Sequence, residues 1–249
     1  MARYTFPILG LALLVAVANS QSLSTSAQQE STTTEREKPV VNVQEQPGSP
    51  LRIASVETKW ATPAKQGLQI HIVVENAGEA EIRAYAWRTV IFDGSQNVDA
   101  CLLHNVKSRG KLLGPGDSDG KTTWRSIAQS SSSSIDLSLD FVEFANGTSW
   151  GLDVCQSAET LRGARAGAVA ARERLARMLE QNGGRALINL LKLNPPILDA
   201  PDGHSPVWVK SFYSGVRSLF DRVKSAHHEG GLPEVERVLR LPIDASENR

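Results

Sequence analysis

The stretch from Gly114 to Thr122, GPGDSDGKT, ends in the Gly-Lys-Thr of a phosphate-binding loop. Such a loop needs a glycine five positions before Gly120 and a helix whose first amides point at the phosphate. Pro115 stands at that position without an N–H, and the residues after it read as strand. Asp117 and Asp119 in the same stretch could offer oxygens to calcium, but no third oxygen ligand and no later glutamate fall in register. The alternative is an Asx-type turn between two strands. His71, His104, His204, His227 and His228 have no zinc-site spacing. Two adjacent histidines point apart, so His227 and His228 would need distant co-ligands. No Gly-x-Ser-x-Gly elbow occurs, and Ser130 to Ser134 reads as a loop. Asp136 and Asp140 are four apart on one strand, hence about 13 Å apart on its polar face, too far for a glycosidase pair. Glu143 adds nothing there. No catalytic residue, metal ligand or cofactor is predicted.

Two sets of residues remain. Cys101 and Cys155 lack the basic surroundings that activate a thiol, and as an even pair in an oxidising compartment they predict a disulfide. Trp60, Trp87, Trp124 and Trp150 lie in strand-like segments. Exposed on a sheet, such rings make platforms for sugars or partner proteins. Turned inward, they fill the core.

The elements that position these residues fall in two halves. From Leu51 to about Asp153 the pattern has period two. Leu68, Ile70, Ile72 and Val74 alternate with Gln69, His71, Val73 and Glu75, and Ile82 to Phe92 is rich in aromatic and β-branched residues. Asp93-Gly94 is a hairpin dipeptide, and Val98 to His104 and Thr122 to Ala128 are further short strands. Ile135, Leu137, Leu139 and Phe141 then face the core, and Asn146-Gly147 turns the chain back toward Trp150. From Glu159 the period becomes helical: Leu161, Ala164, Ala168, Ala171, Leu175, Met178 and Leu179 form a stripe, ended at Asn182-Gly183-Gly184. Three more helices follow, Arg185 to Leu193, one carrying Val209, Phe212, Val216, Leu219, Phe220 and Val223, and a last from Glu234 to Leu241 after Pro233. The fold class is α+β, an antiparallel β-sandwich at 50–157 followed by a helical region at 158–249.

The strand count, Trp87 in the third strand and the Leu113-Gly114-Pro115-Gly116-Asp117 turn resemble the immunoglobulin-like sandwiches of exported bacterial proteins. The antibody-type disulfide between sheets is absent from that resemblance. Phe141 to Gly151 is similar to the terminal hairpin of uncharacterised bacterial secreted proteins, a likeness that implies no activity.

The first residues place Arg3 before an apolar run ending in Ala18-Asn19-Ser20, which predicts a cleaved signal peptide over 1–20. That run is shorter than a bilayer span. Residues 21–49 are rich in Ser, Thr, Gln and Glu and predict a disordered linker. The expected location is therefore secreted or periplasmic, with no membrane span after signal cleavage. Lysine and arginine total 27 against 27 aspartates and glutamates. That balance removes the electrostatic case for nucleic acid. The expected function is a non-enzymatic binding module for a protein or a carbohydrate. The alternatives are an exported hydrolase with a site between sandwich and helices, and a structural part of an envelope assembly.

Overall fold

Period-two alternation and the 3.6-residue stripe sort the chain into strands and then helices. The computed structural model describes residues 38–60, 67–92, 97–106, 111–125, 134–193 and 198–241. In order they form β1 (Val40–Gln44), β2 (Leu51–Trp60), β3 (Leu68–Asn76), β4 (Ile82–Phe92), β5 (Asn97–Asn105), β6 (Ser118–Arg125), β7 (Ser134–Phe144), β8 (Ser149–Trp150), α1 (Ser157–Leu191) and α2 (Pro206–Arg240). The chain is α+β. The larger sheet runs β1-β7-β4-β5 with β8 on β7, and the smaller runs β2-β3-β6. Leu68, Ile70, Ile72 and Val74 of the smaller sheet meet Tyr85, Trp87, Ile91, Ile135, Leu137 and Leu139 of the larger in one buried core.

The sandwich departs from expectation at its first strand. The predicted linker 21–49 contains β1, which pairs in parallel with β7 from Val40↔Ser134 to Gln44↔Ser138. The larger sheet is therefore mixed rather than purely antiparallel. The strand is a short β-branched run, Val40, Val41 and Val43, in which Val41 packs against the sandwich core while the ladder joins it to β7. Val40 and Val43 stay exposed, and Asn42 Nδ2 donates to Asp136 Oδ1 at 2.9 Å. The predicted signal peptide, the Asp93-Gly94 turn and Ser130 to Ser133 lie outside the described residues.

A second departure lies in β7. Its register against β4 slips between Ala86↔Phe141 and Trp87↔Leu139, leaving Asp140 as the extra residue of a bulge. The bulge reverses the alternation. Phe141, expected to face the sandwich core, joins Ala84, Ala86 and Leu161 of α1 in a separate cluster on the opposite face, and Val142 turns inward instead. Asp140 is correspondingly buried, not a surface carboxylate sharing a face with Asp136. It accepts the Val154 and Cys155 amides at 2.9 Å each, which fixes the turn leading into α1. Asp153 completes that turn, accepting the Ser157 and Ala158 amides at the helix N-terminus in place of a side-chain cap from Gln156.

Each helix breaks once, at Gly183 (φ 75°), where the sequence predicts a stop, and at Gly231 (φ 65°), just before the helix start predicted at Pro233. The helix pair crosses at very short range. A Cβ on Gly167 would fall 1.9 Å from the Phe212 carbonyl oxygen, and one on Gly215 1.9 Å from that of Ala164. Trp208 belongs to this helical core, stacked between His204 and Phe212. Arg165 of α1 ties the pair to the sandwich, its guanidinium donating two hydrogen bonds of 2.7 and 2.6 Å to Glu143 on β7.

Candidate functional site

Strand phase decides which tryptophans can serve a surface. Trp87 is fully buried, so it is a core residue and no part of a binding face. Trp60 and Trp150 are half-buried and pack on the edge of the same core. Trp124 alone of the four is substantially open, at 50 % exposure. It falls on the outward phase of β6, an edge strand, and its neighbour Thr123 takes the buried phase.

The outward face of the smaller sheet is uncovered by the helices, which rest on the larger sheet. Its cross-strand rows are set by register: Trp124 opposite Gln69 and Lys59, Thr122 opposite His71 and Glu57, and Gly120 opposite Val73 and Ser55. His71 Nδ1 lies 3.0 Å from Thr122 Oγ1. A Cβ on Gly120 would stand 3.2 Å from the His71 ring, so glycine there leaves room for the imidazole to lie across the strand. The result is one indole beside amide, imidazole and hydroxyl groups, with one cation and one carboxylate at the far edge.

The two aspartates of the glycine-rich stretch separate. Asp117 stays in the turn, accepting the Gly114 amide at 3.2 Å and pairing with Lys111. Asp119 enters β6 on the inward phase, where its Oδ2 accepts the Tyr85 hydroxyl at 2.9 Å. His104 Nε2 stands 2.9 Å from the same oxygen, in ion-pair rather than straight hydrogen-bond geometry. These three residues join the two sheets near β5 and β6. Burial pushes the Asp119 carboxyl up, the His104 and Tyr85 contacts pull it down, and the net lies below the usual carboxylate range. A depressed folded pKa means stability that is complete above the ordinary value near 4 and lost as pH falls through the folded value. Asp119→Asn should therefore flatten the acid limb of the stability profile below about pH 4, measured by urea midpoints from pH 2 to 6. An unchanged acid limb would refute that role. The sequence carried a signal for this cluster, since Asp119 lies five positions before Trp124 and so takes the opposite face. Tyr85 hides within a strand rich in aromatic and β-branched residues, and His104 gives no sign of its partner.

Cys101 of β5 and Cys155, just before α1, form a disulfide, with Cα atoms 5.9 Å apart. The bond is compatible with an oxidising, extracytoplasmic location. No helix among the described residues is long and apolar enough to cross a membrane. Among them, too, no three His, Cys, Asp or Glu residues gather as a metal site.

One cleft of about 610 Å³ lies between β5 and the helices, in the place expected for a hydrolase site. Its walls include Leu103, Leu161, Ala164 and Leu219 together with Arg222, Glu229, Glu234 and Arg237. His204, His227 and His228 do not line it. His204 is instead stacked 3.7 Å from the Trp208 ring. The cleft thus has carboxylates and hydroxyls without an imidazole base, which does not make a nucleophile–base pair of that kind.

No protein-family model matches the chain, and no curated protein does. Two solved structures resemble parts of it. A Bordetella pertussis protein provisionally called ApaA shares 16 % identity, covering 40 % of this chain and 84 % of its own, at a TM-score of 0.30. A hypothetical protein of Peptoclostridium difficile shares 12 % identity over 45 % of this chain and 90 % of its own, also at 0.30.

Proposed function

We propose that the chain is an exported, non-enzymatic binding module whose smaller sheet holds a carbohydrate on the face around Trp124. The observation that carries this reading is the half-exposed indole set among hydrogen-bonding groups on a face that neither α1 nor α2 covers. A sugar ring presents apolar C–H groups on one side and hydroxyls around its rim. It therefore suits a flat aromatic ring with amide, imidazole and hydroxyl partners beside it. A protein partner would be better served by a contiguous apolar patch around the ring, and this face lacks one: Gln69, Thr122 and His71 surround Trp124. Lys59 and Glu57 balance each other, which favours a neutral glycan over a charged one.

The path of the chain supports an immunoglobulin-like module. It crosses between sheets after β1, β3, β5 and β6, in the Greek-key manner, with β2-β3-β6 facing β7-β4-β5. The disulfide and the apolar N-terminal run support export.

A glycan array with the mature chain, followed by titration of the best binder, tests the reading. Trp124→Ala should weaken binding at least tenfold, about 1.4 kcal/mol, and Trp150→Ala should leave it within twofold. A glycan bound equally by the Trp124 variant would move the site elsewhere. No saturable binding to any neutral glycan would sink the carbohydrate assignment.

A further inference from the structure

The two helices are one design used twice. Each is 35 residues long, and their breaks at Gly183 and Gly231 are 48 positions apart. The same shift carries Ala164 onto Phe212 and Gly167 onto Gly215. The contacts obey it: Gly167 abuts the Phe212 backbone, and Gly215 abuts the Ala164 backbone at the same distance. Gly163 meets its own counterpart, Ser211, and Gly184 meets its own counterpart, Leu232. Reciprocal contacts with self-pairs between them are what a two-fold axis produces. Core positions agree as well, with Leu175 and Val223, Leu187 and Val235, and Leu191 and Leu239 all buried.

The symmetry fails where the cleft lies. Ala164, Ala168 and Ala226 line it, and the positions related to them are Phe212, Val216 and Met178. On the related side a phenyl ring, a branched chain and a thioether chain occupy positions that here carry only methyl groups. Charge diverges too. Arg222, Glu229, Glu234 and Arg237 at the cleft correspond to Arg174, Gln181, Ala186 and Asn189. Arg222 and Arg174 match, so the cleft side loses apolar volume at three positions and gains two carboxylates and one guanidinium, opposite to what closing a packing gap requires.

We propose that this cleft is a binding site for a small, net-neutral amphiphile with a ring-sized apolar body. The body takes the volume that Phe212, Val216 and Met178 represent on the related side. The polar end lies beside the Arg and Glu side chains, whose charges cancel and so select against a net-charged ligand. Arg237 and Glu234 already bond each other at 2.8 and 2.6 Å, which holds that end in shape before anything enters. This site shares no residue with the Trp124 face, and neither proposal depends on the other.

The test uses two dyes with the same body on the full mature chain. N-phenyl-1-naphthylamine is neutral, and 1-anilinonaphthalene-8-sulfonate is its anionic relative. The neutral dye should bind saturably with a blue-shifted emission, and the sulfonate at least tenfold more weakly. Ala164→Phe with Ala168→Val writes the related half into the cleft and should reduce neutral-dye affinity at least tenfold while the melting temperature holds or rises. Ala226→Met alone should weaken the dye severalfold, and it carries the test if the double variant does not fold. Absence of saturable neutral-dye binding, equal binding to wild type and filled variants, or tighter binding of the sulfonate would each overturn the assignment.

Discussion

Gly167→Ala should destabilise the protein by about 3 kcal/mol, read from urea denaturation followed by far-UV circular dichroism. The sign is informative, because alanine in an ordinary helix interior gains about 1 kcal/mol over glycine. Here the added methyl would sit 1.9 Å from the Phe212 carbonyl oxygen. The obstacle is backbone, so no rotamer change relieves it, and α1 and α2 must separate. Separation would loosen the buried contacts of Leu175, Val223 and their neighbours along the same interface. Gly215→Ala should cost a similar amount, since its clash with the Ala164 carbonyl is of equal depth. Gly183→Ala is the control: nothing lies within 4 Å of its added Cβ, and only its φ of 75° opposes the change. That strain is worth about 1–2 kcal/mol. A stabilised Gly167→Ala protein would show that the helices do not cross at this distance.

Loss of the disulfide should have the second large effect. Cys101 and Cys155 are 54 residues apart, and closing a loop of that length restricts the unfolded chain by about 4 kcal/mol on the chain-entropy account. The paired Cys101→Ser, Cys155→Ser protein should lose most of that. Dithiothreitol should lower the wild-type urea midpoint to the same place without moving the variant's. Native contacts at the same junction will hold the helices against the sandwich after reduction. Asp140 keeps the Cys155 amide, and Arg165 keeps Glu143. The reduced protein should therefore remain folded at neutral pH with a lower midpoint, not divide into separate melting units. A wild-type midpoint indifferent to reductant would contradict the bond's contribution.

These junctions were the part of the structure least legible in the sequence. Strands β3 and β4 follow directly from alternation and β-branching, because local pattern and burial agree there. The two helix breaks were visible for the same reason, Asn182-Gly183-Gly184 being a local stop signal and Pro233 a local start signal. The strand β1 did not stand out, although Val40, Val41 and Val43 are β-branched, because the run is short and adjoins a stretch rich in Ser, Thr, Gln and Glu. Glu143 and Arg165 are 22 residues apart and look like ordinary surface charges until Phe141 changes face. The pairing of the two cysteines followed from their number, whereas their position between β5 and α1 depended on tertiary packing. Of the four tryptophans, Trp87 and Trp124 occupy opposite roles, the first in the apolar IRAYAWRTVIF and the second in the polar SDGKTTWR. Only the register of the strand and the identity of the uncovered sheet separate them.

The Asp140 bulge has a broader meaning for how a single strand serves two neighbours. Up to Leu139, β7 presents its oily side chains to the opposing sheet. One surplus residue then shifts the rhythm by half a period, so that Phe141 supplies a dry patch to the other side while Val142 keeps to the interior. That patch, Phe141 with Ala84 and Ala86, is where α1 rests. Excising Asp140 would leave Phe141 directly after Leu139 and still turned toward α1, but it would remove the carboxylate that accepts the Val154 and Cys155 amides. The sandwich and the dry patch would both persist, and the turn that delivers the chain to the helix would lose its anchor.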